Sequence, residues 1–97
     1  ISEFPSSVRD LSFSIKDYNQ LIVLQEKLEN FSNDLLREVF VFDYYKNDKM
    51  KEIKIGYRFI FQSYTKTITD EEVSNVINEI IFLGTSIESV IIPGLQK

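Results

Sequence analysis

The sequence predicts a single α+β domain whose elements follow in the order β-α-β-β-α-β. Four short segments either alternate apolar and polar residues or are rich in β-branched and aromatic residues, as strands are. Two other segments carry apolar residues at spacings of three and four, as helices do. The length of 97 residues suits one domain with one modest core. We therefore expect a domain over residues 1–97, with tails at 1–4 and 93–97.

The first predicted strand is Val8–Lys16, in which apolar and polar residues alternate. Its apolar side carries Leu11, Phe13 and Ile15, and its polar side carries Asp10, Ser12, Ser14 and Lys16. The first predicted helix follows within residues 17–34, where Asp17 or Asn19 can cap its start. Its apolar stripe is Leu21, Leu24, Leu28 and Phe31.

The second and third predicted strands surround a charged turn at residues 46–52. Both faces of Leu35–Tyr45 are apolar, with one face formed by Val39 and Val41 and the other by Phe40, Phe42 and Tyr44. Ile53–Ser63 alternates strictly, so one face holds Ile55, Tyr57, Phe59 and Phe61 and the other holds Lys54, Gly56, Arg58, Ile60 and Gln62.

The second helix has a clear predicted start. Thr69 and Glu72 have the spacing of a capping box, and Asp70 and Glu71 add negative charge at the positive end of the helix dipole. Its apolar stripe is Val73, Val76, Ile77, Ile80 and Ile81. Gly84 is the expected stop. A last strand is expected at Ser86–Ile92, ended by Pro93 and Gly94.

This order predicts the ferredoxin-like split βαβ fold, a four-stranded antiparallel sheet with both helices on one face. The other sheet face would be open and would carry Asp10, Ser12, Ser14, Lys16, Lys54, Arg58 and Gln62, with Phe40 or Ile60 among them. Polar side chains around an exposed aromatic ring could contact a phosphate backbone and stack on bases. The alternative is an ordinary solvated sheet face.

Several kinds of catalytic or metal site are excluded by composition. The chain has no cysteine and no histidine, which removes thiolate metal sites, thiol catalysis and a Ser-His-Asp arrangement. Its three glycines form no phosphate loop. Helix capping explains the carboxylates at residues 70–72, and a strand-end contact is the simpler role for Asp43. We therefore predict neither a catalytic site nor a metal site.

No apolar run approaches the roughly 18 residues that a membrane span needs. The N-terminus lacks the features of a signal peptide and an initiator methionine, so we expect a fragment of a longer, intracellular chain. The formal net charge of −4 argues against a dedicated nucleic-acid binder, which usually has a basic surface.

Three stretches of the chain, Phe4–Ile15, Val41–Tyr45 and Gly56–Val73, stand in this order on the predicted fold. Together they closely resemble the ferredoxin-fold anticodon-binding domain of bacterial and organellar phenylalanine–tRNA ligases. The matching residues are Phe4, Pro5, Arg9, Asp10, Asp43, Tyr45, Arg58, Phe61, Gln62, Ser63, Thr67 and Thr69 to Val73. The sequence departs from the family at Gly56, where alanine or serine is common, and at Lys66, where arginine is usual.

The resemblance implies a domain that docks on the anticodon stem-loop of tRNA(Phe) and is not itself catalytic. ATP and magnesium would act in the catalytic module of the parent ligase, and this domain would hold no cofactor. Its partners would be the tRNA, the remaining ligase domains and a catalytic alpha subunit, in the cytoplasm or in an organellar matrix or stroma, with no membrane. The expected RNA contacts are Arg9, Ser12, Ser14, Lys16, Phe40, Lys54, Arg58, Gln62 and Lys66. Arg9 could instead pair with a carboxylate such as Asp10 or Asp43 and brace the sheet.

Two other functions stay open on the sequence. The open face could pack on another protein domain, which the acidic balance favours. Binding that weakens steeply with salt would indicate phosphate contacts, whereas an apolar docking face would show no such dependence. A small-molecule-binding domain would need a ligand-gripping loop, and the sequence shows none.

We expect Arg58→Ala to weaken tRNA binding without unfolding the domain, because the substitution removes one cation from the open face. A binding titration paired with circular dichroism of the variant checks this expectation. Loss of the folded spectrum would show instead that Arg58 is structural.

Overall fold

The computed structural model describes residues 4–94 of the chain. Its elements are β1 (Ser7–Ile15), α1 (Tyr18–Asn30), β2 (Leu36–Asn47), β3 (Glu52–Phe61) and α2 (Asp70–Thr85). The strands form an antiparallel sheet in the order β1-β3-β2. These five elements follow the order that the sequence predicts. The proposed tails at 1–4 and 93–97 lie mostly outside the described residues.

The prediction of a fourth strand at Ser86–Ile92 is wrong for the part of the chain that the structure describes. The segment forms turns and makes a single antiparallel bridge, in which Ser14 N donates to Ile91 O at 2.7 Å and Ile91 N donates to Ser14 O at 3.1 Å. Ser89 has a positive φ of 67°, which interrupts an extended run. The bridge lies on the outer edge of β1, so the segment covers this edge without extending the sheet.

Gly84 lies inside the last turn of α2 rather than beyond it, because the helix continues to Thr85. A Cβ atom at residue 84 would lie 2.6 Å from Cε2 of the buried Phe13 ring. The glycine therefore permits a close approach of α2 to β1, and the helix ends with Ser86 as its C-cap.

Both helix starts agree with the sequence analysis. Of the two predicted caps for α1, Asp17 accepts a hydrogen bond from Gln20 N at 3.0 Å. The capping box of α2 is complete, since Glu72 N donates to Thr69 Oγ1 at 3.1 Å and Thr69 N donates to Glu72 Oε1 at 2.9 Å. These bonds satisfy amide groups that a helix start otherwise leaves unpaired.

One hydrophobic core joins the helices to a single face of the sheet. The central strand β3 contributes Ile53, Ile55, Tyr57, Phe59 and Phe61, all buried. The helices contribute Leu21, Leu24, Leu28, Val73, Val76 and Ile80. Both helices therefore lie on the same side, and the opposite sheet face is left open.

The register of β2 shifts twice, between Leu36 and Glu38 and between Val41 and Asp43. Directly paired residues share a sheet face, so each extra residue reverses the alternation beyond it. Tyr44 is paired with the core-facing Ile55, whereas Tyr45 is paired with Lys54 on the open side. The prediction that Phe40, Phe42 and Tyr44 share one face is therefore wrong for Tyr44.

The hydroxyl group of Tyr57 is buried, and no hydrogen bond from within residues 4–94 reaches it. The ring packs edge-on against Phe13, with 6.0 Å between ring centroids. Burial raises the pKa of Tyr57 to about 12, by more than the neighbouring Gln25 side chain lowers it. Neutral Tyr57 is thus favoured in the folded state.

We expect Tyr57→Phe to remove a loss of stability that the unaltered domain shows at high pH, because burial disfavours the ionised phenol of Tyr57. The pKa of a tyrosine in an unfolded chain is about 10, so below pH 10 the ring of Tyr57 is neutral and the two proteins should differ in free energy of unfolding by no more than about 1 kcal/mol. As the pH rises from 10 through the folded pKa of about 12, the unaltered domain loses the contribution of neutral Tyr57. Urea denaturation of both proteins at pH 7 and between pH 10 and 12 tests this; equal losses of stability in both proteins would contradict it.

Candidate nucleic-acid interface

The open sheet face is defined by the register of the three strands. Its residues are Val8, Asp10 and Ser12 on β1, Lys54, Gly56, Arg58 and Ile60 on β3, and Glu38, Phe40, Asp43 and Tyr45 on β2. Phe42 is the extra residue of the second register shift, and its ring reaches this face beside Gly56. The face mixes both charge signs with exposed aromatic rings.

Arg58 lies at the centre of this face and is paired with Asp10 on the neighbouring strand. Its Nε lies 2.9 Å from Asp10 Oδ1 and its Nη2 lies 2.9 Å from Oδ2, a bidentate arrangement. The hydrogen bond between them lowers the pKa of Asp10 and raises that of Arg58. Both side chains remain more than a third exposed, at 39% for Arg58 and 37% for Asp10.

The Phe42 ring supports the Arg58 guanidinium from the side of β2. The guanidinium carbon lies 4.7 Å from the ring centroid, within the range of a cation–π contact. A Cβ atom at residue 56 would lie 2.9 Å from Phe42 Cε1, so glycine at this position lets the ring lie close to the strand. Sequence reasoning did not select Phe42, although Gly56 on the neighbouring strand was a signal of a close approach.

Four of the predicted contact residues are exposed at or beside this face: Ser12, Lys16, Phe40 and Lys54. Phe40 is paired with Arg58, and 38% of it is exposed. Lys54 is paired with Ser14 on one side and with Tyr45 on the other. Lys16 directly follows β1 at the same end of the sheet. These groups remain accessible to a ligand.

The prediction that Ser14 lies on the exposed face is wrong. Only 3% of Ser14 is exposed, and its hydroxyl donates to Glu52 Oε2 at 2.5 Å. Its backbone forms the bridge to Ile91, so the turn segment after α2 covers this end of β1. Strand parity could not show this, because the covering segment is distant in sequence.

Arg9 connects β1 to the start of α2. Its Nη2 lies 3.5 Å from Asp70 Oδ1, and its Nη1 donates to Val8 O at 3.0 Å. The expected pairing of Arg9 with a carboxylate is confirmed, but the partner is Asp70 and neither Asp10 nor Asp43, because Arg9 lies on the core-side parity of β1, opposite Phe59. The side chain is thus turned away from the open face.

Gln62 and Lys66, the two predicted contacts after β3, both have intramolecular partners. Gln62 Nε2 donates to Phe4 O at 2.6 Å and holds the N-terminal segment. Lys66 Nζ lies 2.5 Å from Glu72 Oε2, the carboxylate of the capping box. The bond from Lys66 is the largest influence that lowers the pKa of Glu72, followed by the Thr69 amide.

Arg37 is a cation near this turn that sequence reasoning missed. Its Nε donates to Gln62 O at 2.7 Å, and its guanidinium carbon lies 4.4 Å from the centroid of the Tyr64 ring. The alternation of β2 did not indicate which face Arg37 would occupy, because Arg37 is the extra residue at the first register shift of the strand.

Lysines concentrate at the hairpin between β2 and β3. This end carries Lys46, Lys49, Lys51 and Lys54 within nine residues, against two carboxylates, Asp48 and Glu52. A recess of about 380 Å³ lies here, and its wall includes Asp17, Asp48 and Glu52 as well as Lys16, Lys46 and Lys51. The hairpin segment 46–54 of this acidic chain therefore has a local excess of positive charge, whereas the recess has none.

No described residue belongs to a group of three or more acidic side chains placed to hold a metal ion. Within the same part of the chain, no helix is long and apolar enough to cross a membrane.

Comparison with known proteins extends these observations. The profile of the ferredoxin-fold anticodon binding domain matches residues 2–84, most of the chain. The chain belongs to this family. Its ferredoxin-like fold, with two helices and an antiparallel sheet, agrees with the assignment.

Several curated relatives are phenylalanine–tRNA ligases. The chain is 35% identical over 82 residues to the beta subunit of Syntrophus aciditrophicus, an alignment that covers 82% of this chain and 10% of the relative. It is 33% identical over 78 residues to the beta subunit of Geobacillus kaustophilus, covering 78% and 10%. The chloroplastic/mitochondrial ligase of Arabidopsis thaliana is 32% identical over 75 residues, covering 77% and 18%. The chain thus spans between a tenth and a fifth of these relatives.

We expect Gly56→Ala to displace the Phe42 ring from Arg58 while changing the free energy of unfolding by no more than about 1 kcal/mol. The added methyl meets the far end of the exposed Phe42 ring and lies 3.3 Å from Asp43 Cβ, while alanine is itself favoured over glycine in a strand. The ring-current shift of the Arg58 side-chain protons in NMR spectra reports the contact. Phe42→Leu, which removes the ring, provides the reference; unchanged Arg58 shifts in Gly56→Ala would contradict the expectation.

Proposed function

We propose that this chain is the tRNA-binding domain of a phenylalanine–tRNA ligase and docks its open sheet face on the anticodon stem-loop of tRNA(Phe). The observation that supports this most is the family match over residues 2–84 on a fold whose open face has exposed aromatic and cationic groups. Single-stranded RNA loops are bound by such surfaces, through base stacking and phosphate contacts.

The groups that the fold leaves accessible would make the direct contacts. Phe40 would stack on an unpaired base, which contributes about 1–3 kcal/mol in comparable proteins. Lys16 and Lys54 would contact phosphates, and Ser12 would donate a hydrogen bond from the same face. The lysine-rich hairpin would extend the phosphate contacts beyond the sheet.

The other predicted residues would act differently. Arg9, Gln62 and Lys66 already bind groups of this domain, so their proposed role is to position β1, the N-terminal segment and the turn before α2. The Nε–Nη2 edge of Arg58 would meet RNA only in competition with Asp10. Ser14 is buried and has no direct contact in this proposal.

The proposal for the whole protein follows its relatives. Residues 1–97 would form one domain of a longer ligase, and aminoacylation with phenylalanine, ATP and magnesium would occur in the catalytic module. Its other partners would be the remaining ligase domains and a catalytic alpha subunit. The relatives include beta subunits and a chloroplastic/mitochondrial ligase, so both the cytoplasm and an organelle suit the proposal.

A second candidate function is protein–protein docking through the same region. The net charge of −4 favours it, as do the exposed aromatic residues of β2. β2 is an edge strand of the described sheet, and its exposed aromatic residues are Phe40, Phe42, Tyr44 and Tyr45. An apolar docking face would bind with little dependence on salt.

A titration of the domain into labelled tRNA(Phe), followed by fluorescence anisotropy at low and moderate salt, tests the proposal. We expect affinity to fall with salt, with a slope of about −0.7 in log affinity against log salt for each phosphate contact on a single-stranded loop. A tRNA with a swapped anticodon is the matched control, and weaker binding of that tRNA is expected.

Equal binding of both tRNAs would reduce the function to non-specific RNA contact. Absence of binding at low salt would contradict direct recognition by this domain and favour the protein-docking function.

A further inference from the structure

The Asp10–Arg58 pair occupies the centre of the surface that the proposed function assigns to RNA. A carboxylate and a phosphate present similar paired oxygens, and both fit the forked donors of a guanidinium group. Asp10 takes two of these donors, at 2.9 Å each, in the manner that a phosphate would. The protein therefore places an acidic group of its own where an RNA phosphate would bind.

We propose that Asp10 is an internal competitor of RNA phosphate at Arg58 and so limits the affinity of the domain for RNA. This inference rests on the proposed function and concerns the same face. Asp10 occupies the Nε–Nη2 edge of the guanidinium, so a phosphate can use this edge only when the bond to Asp10 is broken. Each binding event that uses this edge therefore loses the free energy of the pair.

Three observations support competition. The pair is exposed enough for a phosphate to reach it, with more than a third of both side chains accessible. Asp10 and Arg58 are paired directly across β1 and β3, so the carboxylate stays within reach after displacement. Phe42 contacts the guanidinium from the side of β2, which favours a position of Arg58 on this face.

Competition also fits the charge balance. With Asp10 bound, Arg58 adds no net charge to the open face, so one of its few cations is neutralised. While Arg58 stays neutralised by Asp10, it releases no counterion from an RNA phosphate. The affinity for RNA then depends less on the salt concentration. The competitor would shorten the lifetime of the complex, because affinity differences between variants of one interface appear mainly in the dissociation rate.

The test compares Asp10→Asn with Asp43→Asn in the tRNA titration. Asp43 lies on the same face, opposite Gly56, and forms no ion pair with any residue between 4 and 94. The Asp43→Asn variant therefore measures how the affinity for tRNA changes when any one negative charge is removed from this face. Asp10→Asn keeps the side-chain shape while abolishing its charge, and circular dichroism verifies that both variants are folded.

We expect Asp10→Asn to bind tRNA(Phe) about twofold to fivefold more tightly than Asp43→Asn does, the factor that corresponds to an exposed ion pair. The slope of log affinity against log salt should become steeper by about one phosphate contact. When Arg58→Gln is also present, Asp10→Asn should no longer bind tRNA(Phe) more tightly than Asp43→Asn does, because there is no Arg58 guanidinium left to release.

The outcomes separate the inference from the function on which it rests. If the unaltered domain binds tRNA(Phe) and Asp10→Asn gains no more than Asp43→Asn, competition is refuted while the RNA-binding function stands. Weaker binding by Asp10→Asn would show that Asp10 positions Arg58 for RNA instead of competing with it. If no protein in the series binds tRNA, the proposed function fails, and the inference fails with it.

Discussion

β3 pairs with β1 on one side and with β2 on the other, and this double pairing determines both faces of the sheet. Its alternate side chains from Ile53 to Phe61 are buried under the two helices. The residues between them must therefore point to the open side. Because Arg58 is one of these residues, the same register that builds the core also places the central cation of the candidate interface.

The local environment of Arg58 is formed by side chains from both neighbouring strands. The register shift in β2 places the Phe42 ring beside Gly56 and against the guanidinium, and β1 supplies Asp10 from the other side. The Asp10 contact depends only on the pairing of β1 with β3, which has no register shift.

Most predicted RNA contacts that carry a charge or an amide are already bound within the domain. Arg58 meets Asp10, Arg9 meets Asp70, Lys66 meets Glu72 and Gln62 holds Phe4. The three ion pairs neutralise Arg58, Arg9 and Lys66. This acidic chain therefore carries cations at each end of the sheet without a strongly basic surface. These pairs leave Ser12, Lys16, Lys54 and Phe40 as the accessible groups, so the proposed RNA contact depends on stacking as well as charge.

The sequence by itself determined the five elements, the capping box of α2 and the core stripes, because each depends on periodicity or on hydrogen bonds between residues close in the chain. For the start of α1 it left Asp17 and Asn19 open, and the structure has Asp17. The ferredoxin-like fold and the open face followed from them. Only the tertiary structure decided that Ser86–Ile92 forms a bridge instead of a strand, that Ser14 is buried and that Tyr44 leaves the open face. The tertiary structure also determined that Arg9 pairs with Asp70 and Arg58 with Asp10. These outcomes depend on contacts between residues distant in sequence and on a one-residue shift in register, which alternation along a single strand cannot reveal.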